Sequence, residues 1–305
     1  MMAFIQYAMQ IIMSFLMITM MSIMLPRAGV AANRILEVLD TPLSIEDPEN
    51  CVKPEEKEKG TVVFDHVSFA YPGAEEEVLS DITFEARKGE TVAFIGSTGS
   101  GKSTLINLIP RFYDVTGGSI KIDGIDVRDF KIKSLRQKIG FIRQKTLLFT
   151  GSIKSNIKFG KQEASHDEVV ESAKTAQAYD FISKKELKFD EPIGEGGSNV
   201  SGGQKQRLSI ARALVRKPEI YIFDDSFSAL DFKTDAILRA ELKKETADTI
   251  VLIVAQRIGS IMEADKIIVL DEGKVVGCGK HKELLKSCSV YKEIALSQLT
   301  EEELA

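Results

Sequence analysis

A single glycine-rich segment constrains the fold of this chain more than any other feature of the sequence, and it reads Gly96-Ser97-Thr98-Gly99-Ser100-Gly101-Lys102-Ser103-Thr104. An apolar, β-rich run at residues 91–95 precedes it, and a helical run at residues 104–109 follows. Glycines at such a strand-to-helix turn let backbone N–H groups surround phosphate, while Lys102 reaches the β- and γ-phosphates and Ser103 can ligate Mg²⁺. The segment is therefore predicted to be a phosphate-binding loop.

A pair of carboxylates, Asp224 and Asp225, follows an apolar run at residues 220–223. Runs of this kind, here and at residues 250–254, are typical of strands buried on both faces of a sheet. A carboxylate at the end of such a strand can hold the Mg²⁺ of a bound nucleotide, and Asp224 is the expected ligand. Acidic residues after strands are common, so this prediction depends on the phosphate loop upstream.

The order of β-rich and helical segments predicts an α/β core. Short β-rich runs come first, at residues 61–64, 67–71 and 82–85, and mixed β and α segments follow them. Residues from about 145 to 203 lack continuous apolar strands and carry helical patterning, as at residues 168–178. We therefore expect an inserted helical subdomain in this part of the chain.

The N-terminal part of the chain is predicted to cross a membrane. Residues 3–25 contain no charged side chain, and about 20 apolar residues in a helix suffice to span a bilayer core. A signal peptide is the alternative, but no basic region precedes the run and no small-residue cleavage site ends it. Arg27 and Arg34 follow the run, so the positive-inside rule places its C-terminal side in the cytoplasm. Prolines and charges then indicate a linker at residues 41–60.

Charge and cysteine content exclude two other classes of protein. The chain has 40 basic and 45 acidic residues and a net charge of -5, without the basic excess expected of a protein that binds nucleic acid. Its three cysteines lie far apart in the sequence, without the spacing of a metal site or of a disulfide framework: Cys51, Cys278 and Cys288. We expect reduced thiols and no nucleic-acid partner.

One further motif gives a specific resemblance, and it reads Val200-Ser201-Gly202-Gly203-Gln204-Lys205-Gln206-Arg207. Its glycines precede a helical run at residues 207–214 and offer backbone donors to an anion at a helix N-terminus. The motif resembles the signature sequence of ATP-binding cassette (ABC) proteins. In that family the signature reaches the nucleotide of a partner subunit, so that two cassettes enclose two ATP molecules.

Other landmarks of the family follow in their expected order over residues 61–299. Tyr71 resembles the aromatic residue that stacks on adenine. Gln144 is similar to the glutamine that senses Mg²⁺ and contacts the transmembrane part. Glu195 occupies the place of an exporter-type loop that touches the coupling helices, although Gly196 replaces the arginine common after it. The segment Ser228-Ala229-Leu230-Asp231 matches the loop through which two cassettes communicate.

The resemblance implies a fold and a domain arrangement. The fold is α/β, that of a P-loop NTPase of the ABC ATPase type, with an antiparallel β subdomain and an inserted helical subdomain, preceded by one transmembrane helix. The expected domains begin with the last transmembrane helix and its cytoplasmic extension, residues 1–40, and the linker, residues 41–60. The nucleotide-binding domain follows at residues 61–299, with the helical subdomain at about 145–203. Residues 300–305 are a C-terminal tail.

Two positions depart from the family pattern. The family places a glutamate after the Mg²⁺ aspartate to polarise the attacking water, whereas this chain has Asp225, one methylene shorter. Displacing a catalytic group by about 1 Å can cost on the order of a hundredfold in rate. Gln256 replaces a histidine that contacts the γ-phosphate, and it cannot become cationic. Together these two catalytic positions resemble the degenerate half of heterodimeric exporters.

The resemblance thus implies an ATP-binding subunit of an ABC exporter in the cell membrane, with its nucleotide-binding domain in the cytoplasm. ATP and Mg²⁺ are the expected cofactors, and weak hydrolysis is expected at its own site. Its partners would be a catalytic half-transporter, the membrane helices absent from this chain, and an unidentified exported substrate. We also expect the chain to be the C-terminal fragment of a half-transporter.

Two alternatives remain open from the sequence. One is a homodimeric exporter that hydrolyses ATP fully, which requires Asp225 to suffice as a base. The other is a soluble ABC ATPase of nucleic-acid repair or translation. The apolar N-terminal span and the acidic net charge disfavour this second alternative.

Overall fold

The computed structural model describes residues 1–49 and 60–300. By its internal contacts the chain divides into two units, Met1–Glu46 and Asp47–Ala305. Several sequence predictions lie outside the described residues: Cys51, the charged part of the linker at residues 53–59, and most of the C-terminal tail.

The first unit consists mainly of one helix, α1 (Met2–Leu39), which contains Pro26. None of its residues is buried, and it is long and apolar enough to cross a membrane. The predicted span at residues 3–25 and its predicted helical extension therefore lie within one helix. Asp40 caps its C-terminal end.

The second unit begins with an antiparallel sheet in the order β2-β1-β4-β5, and its strands are β1 (Thr61–Phe69), β2 (Leu79–Arg87), β4 (Gly117–Ile122) and β5 (Ile125–Asp126). The β-rich run at residues 61–64 and most of the run at residues 67–71 form the single strand β1, because a register shift between Phe64 and Val67 accommodates the extra residues without ending the pairing.

The main sheet has six strands in the order β12-β11-β3-β10-β9-β6, and they are β3 (Thr91–Gly96), β6 (Ile139–Ile142), β9 (Ile220–Asp224), β10 (Ile250–Val254), β11 (Lys266–Asp271) and β12 (Lys274–Gly279). All neighbours pair in parallel except β11 and β12. The carboxyl ends of β3, β9 and β10 therefore meet at one edge of the sheet. The sequence patterns predict these three strands but do not single out β11 and β12.

Helices surround the sheets: α2 (Lys102–Leu108), α3 (Ile132–Lys138), α4 (Ile153–Lys158), α5 (His166–Thr175), α6 (Tyr179–Ser183), α7 (Gly202–Leu214), α8 (Phe232–Glu245), α9 (His281–Ser287) and α10 (Ser289–Leu296). The predicted helical stretch contains α4 to α6. It also contains two short strands that pair with each other, β7 (Gly151–Ser152) and β8 (Pro192–Ile193). Helix α5 begins two residues before the predicted start because Ser165 and Glu168 form a reciprocal N-terminal cap.

Two apolar clusters cover the two faces of the main sheet. Alternate residues of β3 point to opposite sides: Phe94 packs into the cluster shared with α2 and the antiparallel sheet, and Ile95 into the cluster shared with α7, α8 and α10. Since the sheet is buried on both faces, its strands are continuous apolar runs. This packing fixes the carboxyl ends of β3, β9 and β10 and the loops that leave them.

Candidate nucleotide site

The phosphate loop leaves β3 and enters α2, as the sequence predicts. Lys102 lies at the start of α2, and its Nζ donates to the carbonyl oxygens of Gly96 at 2.9 Å and of Ser97 at 2.6 Å. It also donates to Ser100 Oγ at 3.2 Å. These contacts fold the ammonium group back over the loop. Burial lowers the pKa of Lys102, while the carboxylates of Asp224 and Asp225 act in the opposite direction.

Two glycines of this loop are required by the backbone. A Cβ atom at Gly96 would lie 2.0 Å from the carbonyl oxygen of Leu270. Gly101 has a φ of +92°, and a Cβ atom there would lie 2.6 Å from a methyl carbon of Leu79. The loop can therefore wind closely against β11 and β2 only with glycine at these positions.

The first carboxylate after β9 faces the phosphate loop across the sheet edge. Ser103 Oγ donates to Asp224 Oδ1 at 3.1 Å, although the two residues are 121 positions apart. Burial raises the pKa of Asp224, and the hydrogen bond from Ser103 opposes this shift. A hydroxyl and a carboxylate are the oxygen ligands that Mg²⁺ takes beside nucleotide phosphates. The two side chains therefore fit a magnesium ion.

The second carboxylate is more enclosed. Asp225 is 8% exposed, and its Oδ2 accepts a hydrogen bond from Gln144 Nε2 at 2.9 Å. Its backbone has a φ of +45°, a conformation in which aspartate is commoner than most residues. Burial raises the pKa of Asp225, and the hydrogen bond from Gln144 lowers it. The structure thus brings together the predicted positions 144 and 225.

Gln256 follows β10 at the same edge of the sheet. Its side chain is exposed, and it lines a small cavity together with Asp225 and Ser228. Its backbone carbonyl accepts a hydrogen bond from Gln298 Nε2 at 2.8 Å. Sequence reasoning misses Gln298, because nothing in its local pattern indicates a contact with a loop 42 positions away.

Tyr71 lies beside the phosphate loop, just beyond the end of β1. Its hydroxyl is 2.9 Å from Thr104 Oγ1 on α2. Its ring makes edge contacts with Phe69 and Tyr113, with ring centroids 4.9 Å and 5.2 Å away. Tyr71 is therefore anchored within an aromatic cluster that includes the exposed Tyr113. Its stacking on adenine stays a prediction.

The signature residues begin α7, away from the phosphate loop. Helix α7 packs against α4, α5 and β6, whereas α2 packs against β3 and β9. Ser201 and Gln204 cap α7 reciprocally, because the side chain of each accepts from the backbone N–H of the other. The helix thus starts at Gly202, five residues before the predicted helical run. Gly202 is exposed and has open space where a Cβ atom would lie, so the N-terminal end of α7 is uncovered on this side.

The loop Ser228–Asp231 lies between the signature and the loop that carries Gln256. A Cβ atom at Gly203 would be 3.2 Å from the carbonyl oxygen of Ala229. On the other side, Arg257 Nη2 donates to the carbonyl oxygen of Ser228 at 3.2 Å. Asp231 caps α8 by accepting from the backbone N–H of Thr234 at 3.0 Å. A nucleotide role of Asp231 stays a prediction.

Glu195 begins a short helical turn, Glu195–Gly197, and its side chain is exposed. Gly196, which stands where the family commonly has arginine, has a φ of +59°. This left-handed backbone favours glycine over arginine. The backbone conformation at position 196 therefore suits the glycine of this chain better than the arginine common in the family.

Comparison with known proteins places this geometry among nucleotide-binding domains. The family model described as "ABC transporter" matches residues 79–228. The chain is 46% identical over 299 residues to an uncharacterised ABC transporter ATP-binding protein of Mycobacterium bovis, covering 97% of this chain and 51% of that protein. It is 47% identical over 242 residues to a putative multidrug export ATP-binding/permease protein of Staphylococcus aureus, covering 79% and 42%.

A solved structure gives the same result for the fold. The chain matches a bacterial Atm1-family ABC exporter with ATP bound, with a TM-score of 0.84 and 34% identity, over 90% of this chain and 48% of the other. These findings confirm the predicted α/β fold class and the predicted family resemblance. The chain spans about half the length of the curated relatives it matches.

Proposed function

The chain carries a nucleotide-binding domain of the ABC transporter family, and from that premise we propose that it is the ATP-binding part of an exporter whose own ATP site hydrolyses weakly. The names of the S. aureus and Atm1-family relatives support export as the process. The apolar helix α1 supports a membrane location, with the nucleotide-binding domain in the cytoplasm. The further membrane helices that a translocation path requires would lie outside this chain.

ATP binding is supported by the phosphate loop. Its backbone N–H groups and Lys102 would hold the β- and γ-phosphates, and Tyr71 would stack on the adenine ring. Ser103 and Asp224 would hold Mg²⁺, which neutralises phosphate charge when it is bound. Gln144, whose amide donates to Asp225 directly after Asp224 in the chain, would sense this ion.

The proposal of weak hydrolysis rests on one observation. The carboxylate expected to polarise water belongs to an aspartate that is 8% exposed and that already accepts a hydrogen bond from Gln144. Its shorter side chain projects less far from β9 than a glutamate would, and general-base catalysis depends on reaching the water at about 2.6–3.2 Å. Gln256 can donate a hydrogen bond to the γ-phosphate but cannot add a positive charge.

A degenerate site suits a heterodimer. The signature residues 201–204 are complete and Gly202 is exposed, so this chain can supply a signature to a partner. In the proposed pair this chain binds ATP, a second half-transporter hydrolyses it, and closure of the two cassettes switches the membrane part between its two access states.

The test measures the rate of MgATP hydrolysis by the full chain in detergent. It compares the wild type with variants that carry the family's residues at positions 225 and 256. Since the chain carries both a phosphate loop and a signature, two copies can form complete sites. The double variant Asp225→Glu with Gln256→His is expected to raise kcat by about tenfold or more, because it restores the reach of the base and a cationic contact. Asp225→Asn keeps the shape of aspartate without a base, so it should leave the low wild-type rate within about twofold.

The opposite pattern would support the homodimeric alternative. A fast wild-type rate that Asp225→Asn abolishes would show that the aspartate is a sufficient base. Because a glutamate at position 225 must adopt a φ near +45°, thermal unfolding of each variant checks that a low rate does not reflect loss of the fold.

A further inference from the structure

A side-chain amide near the end of the described residues holds the backbone of the loop after β10. Gln298 Nε2 donates to the carbonyl oxygen of Gln256 at 2.8 Å. The backbone N–H of Ile258 donates to Gln298 Oε1 at 2.9 Å. The side-chain amide of Gln298 thus donates to one backbone group and accepts from another two residues away. These two hydrogen bonds fix the orientation of the peptide units on both sides of position 257.

The amide projects from a firmly packed element. Gln298 follows α10, in which Tyr291 and Ala295 are fully buried. Its backbone N–H donates to the carbonyl oxygen of Ala295 at 3.1 Å, and Leu299 packs against the same apolar cluster. Tyr291 is in turn within 2.7 Å of His281 Nδ1 on α9. The backbone that carries the exposed Gln298 side chain is therefore anchored to the core.

The loop held by Gln298 is connected to the rest of the candidate site. Arg257 Nη2 donates to the carbonyl oxygen of Ser228 at 3.2 Å, and Ser228 Oγ donates to the carbonyl oxygen of Asp225 at 3.0 Å. Gln256 itself is exposed, so the direction of its side chain depends on the backbone that carries it. A change in the conformation of that backbone would displace the Gln256 amide.

We propose that Gln298 is a positioning residue for Gln256, and that the C-terminal end of the domain thereby sets how strongly this site prefers ATP to ADP. The inference rests on the proposed function, in which the Gln256 amide contacts the γ-phosphate. ATP has that phosphate and ADP lacks it, so a misplaced Gln256 weakens the binding of ATP alone. A purely structural role of Gln298 would change the binding of both nucleotides together.

The experiment measures the dissociation constants of MgATP and MgADP for the full chain in detergent, by displacement of a fluorescent nucleotide. Gln298→Met keeps an unbranched side chain of similar length without the amide. It is expected to lower the ratio of ATP affinity to ADP affinity by about threefold to tenfold, since two hydrogen bonds that orient the loop are lost. The affinity for ADP is expected to stay unchanged.

Three further variants make the result specific. Gln256→Ala is expected to lower the same ratio by about tenfold or more, because it removes the proposed hydrogen bond to a charged phosphate. Ser297→Ala is the matched control: the hydroxyl of this residue, which caps the C-terminal end of α10, donates to the carbonyl oxygen of Ile294, and the ratio should not change. Gln298→Glu keeps the acceptor for Ile258 but loses the donor to Gln256, so about a threefold fall is expected. This variant serves if Gln298→Met does not fold.

The outcomes separate this inference from the proposed function. If Gln256→Ala lowers the ratio and neither variant of Gln298 does, the positioning role is wrong and the nucleotide site stands. If Gln256→Ala leaves the ratio unchanged, the γ-phosphate contact is wrong and the positioning role falls with it. Equal losses of ATP and ADP affinity in Gln298→Glu would also overturn the inference.

Discussion

Replacing Lys102 with alanine is expected to lower the affinity of the chain for MgATP by about a hundredfold, because charge-assisted contacts to phosphate are among the strongest single interactions in such a site. Lys102 Nζ already lies within hydrogen-bonding distance of Gly96, Ser97 and Ser100, at the centre of the phosphate loop. Displacement of a fluorescent nucleotide from the full chain in detergent measures the change.

A second lysine provides the matched control. Lys138 Nζ pairs with Asp123 at 2.9 Å and with Glu219, and the side chain of Asp123 is only 3% exposed. Lys138→Ala leaves a buried carboxylate without its cation, so we expect the free energy of unfolding to fall by about 3 kcal/mol while MgATP affinity is unchanged. If Lys102→Ala binds MgATP within about threefold of the wild type, the assignment of the phosphate loop is wrong.

Gly96→Ala is expected to lower the free energy of unfolding by about 3 kcal/mol or more. The new Cβ atom would lie 2.0 Å from the carbonyl oxygen of Leu270 and 2.8 Å from Ser100 Oγ. The carbonyl cannot retreat freely, because Leu270 is the β11 partner of Gly96 in the sheet. Urea unfolding followed by circular dichroism measures the change.

The matched control is another glycine of the same loop. Gly99 has a φ of +87°, but no atom lies within 4 Å of the place where its Cβ would be. Gly99→Ala therefore introduces only backbone strain, and we expect a loss of about 1 kcal/mol. If the two variants lose the same stability, the close contact with β11 does not explain the need for glycine at position 96.

The parts of the fold that the sequence predicts correctly are determined by residues that lie close together in the chain. The strands β3, β9 and β10 are continuous apolar runs, because both faces of the main sheet are covered. The phosphate loop is one contiguous segment, so its strand, glycines and helix are all visible in the sequence. A register shift joins the β-rich run at residues 61–64 and most of the run at residues 67–71 in β1, and this cause is also local.

The contacts between side chains of the candidate site are not predicted from the sequence. Gln144 and Asp225 are predicted as separate positions, and only the structure shows that their side chains are hydrogen-bonded across 81 positions. The left-handed backbone of Asp225 likewise has no sequence signal, since aspartate occurs in every kind of turn. The hydrogen bond from Gln144 already occupies one oxygen of the Asp225 carboxylate, which supports the proposed weak hydrolysis independently of the shorter side chain.

By itself, then, the sequence determined the strands β3, β9 and β10 and the strand-loop-helix around Lys102, because each of these is a run of consecutive residues. The tertiary structure decided which of those groups meet. Ser103 reaches Asp224, and Gln298 reaches the backbone of Gln256, only because parallel strands end at one edge of the sheet and α10 packs nearby. Contacts between residues so distant in the chain depend on the packing of the core, which no local pattern encodes.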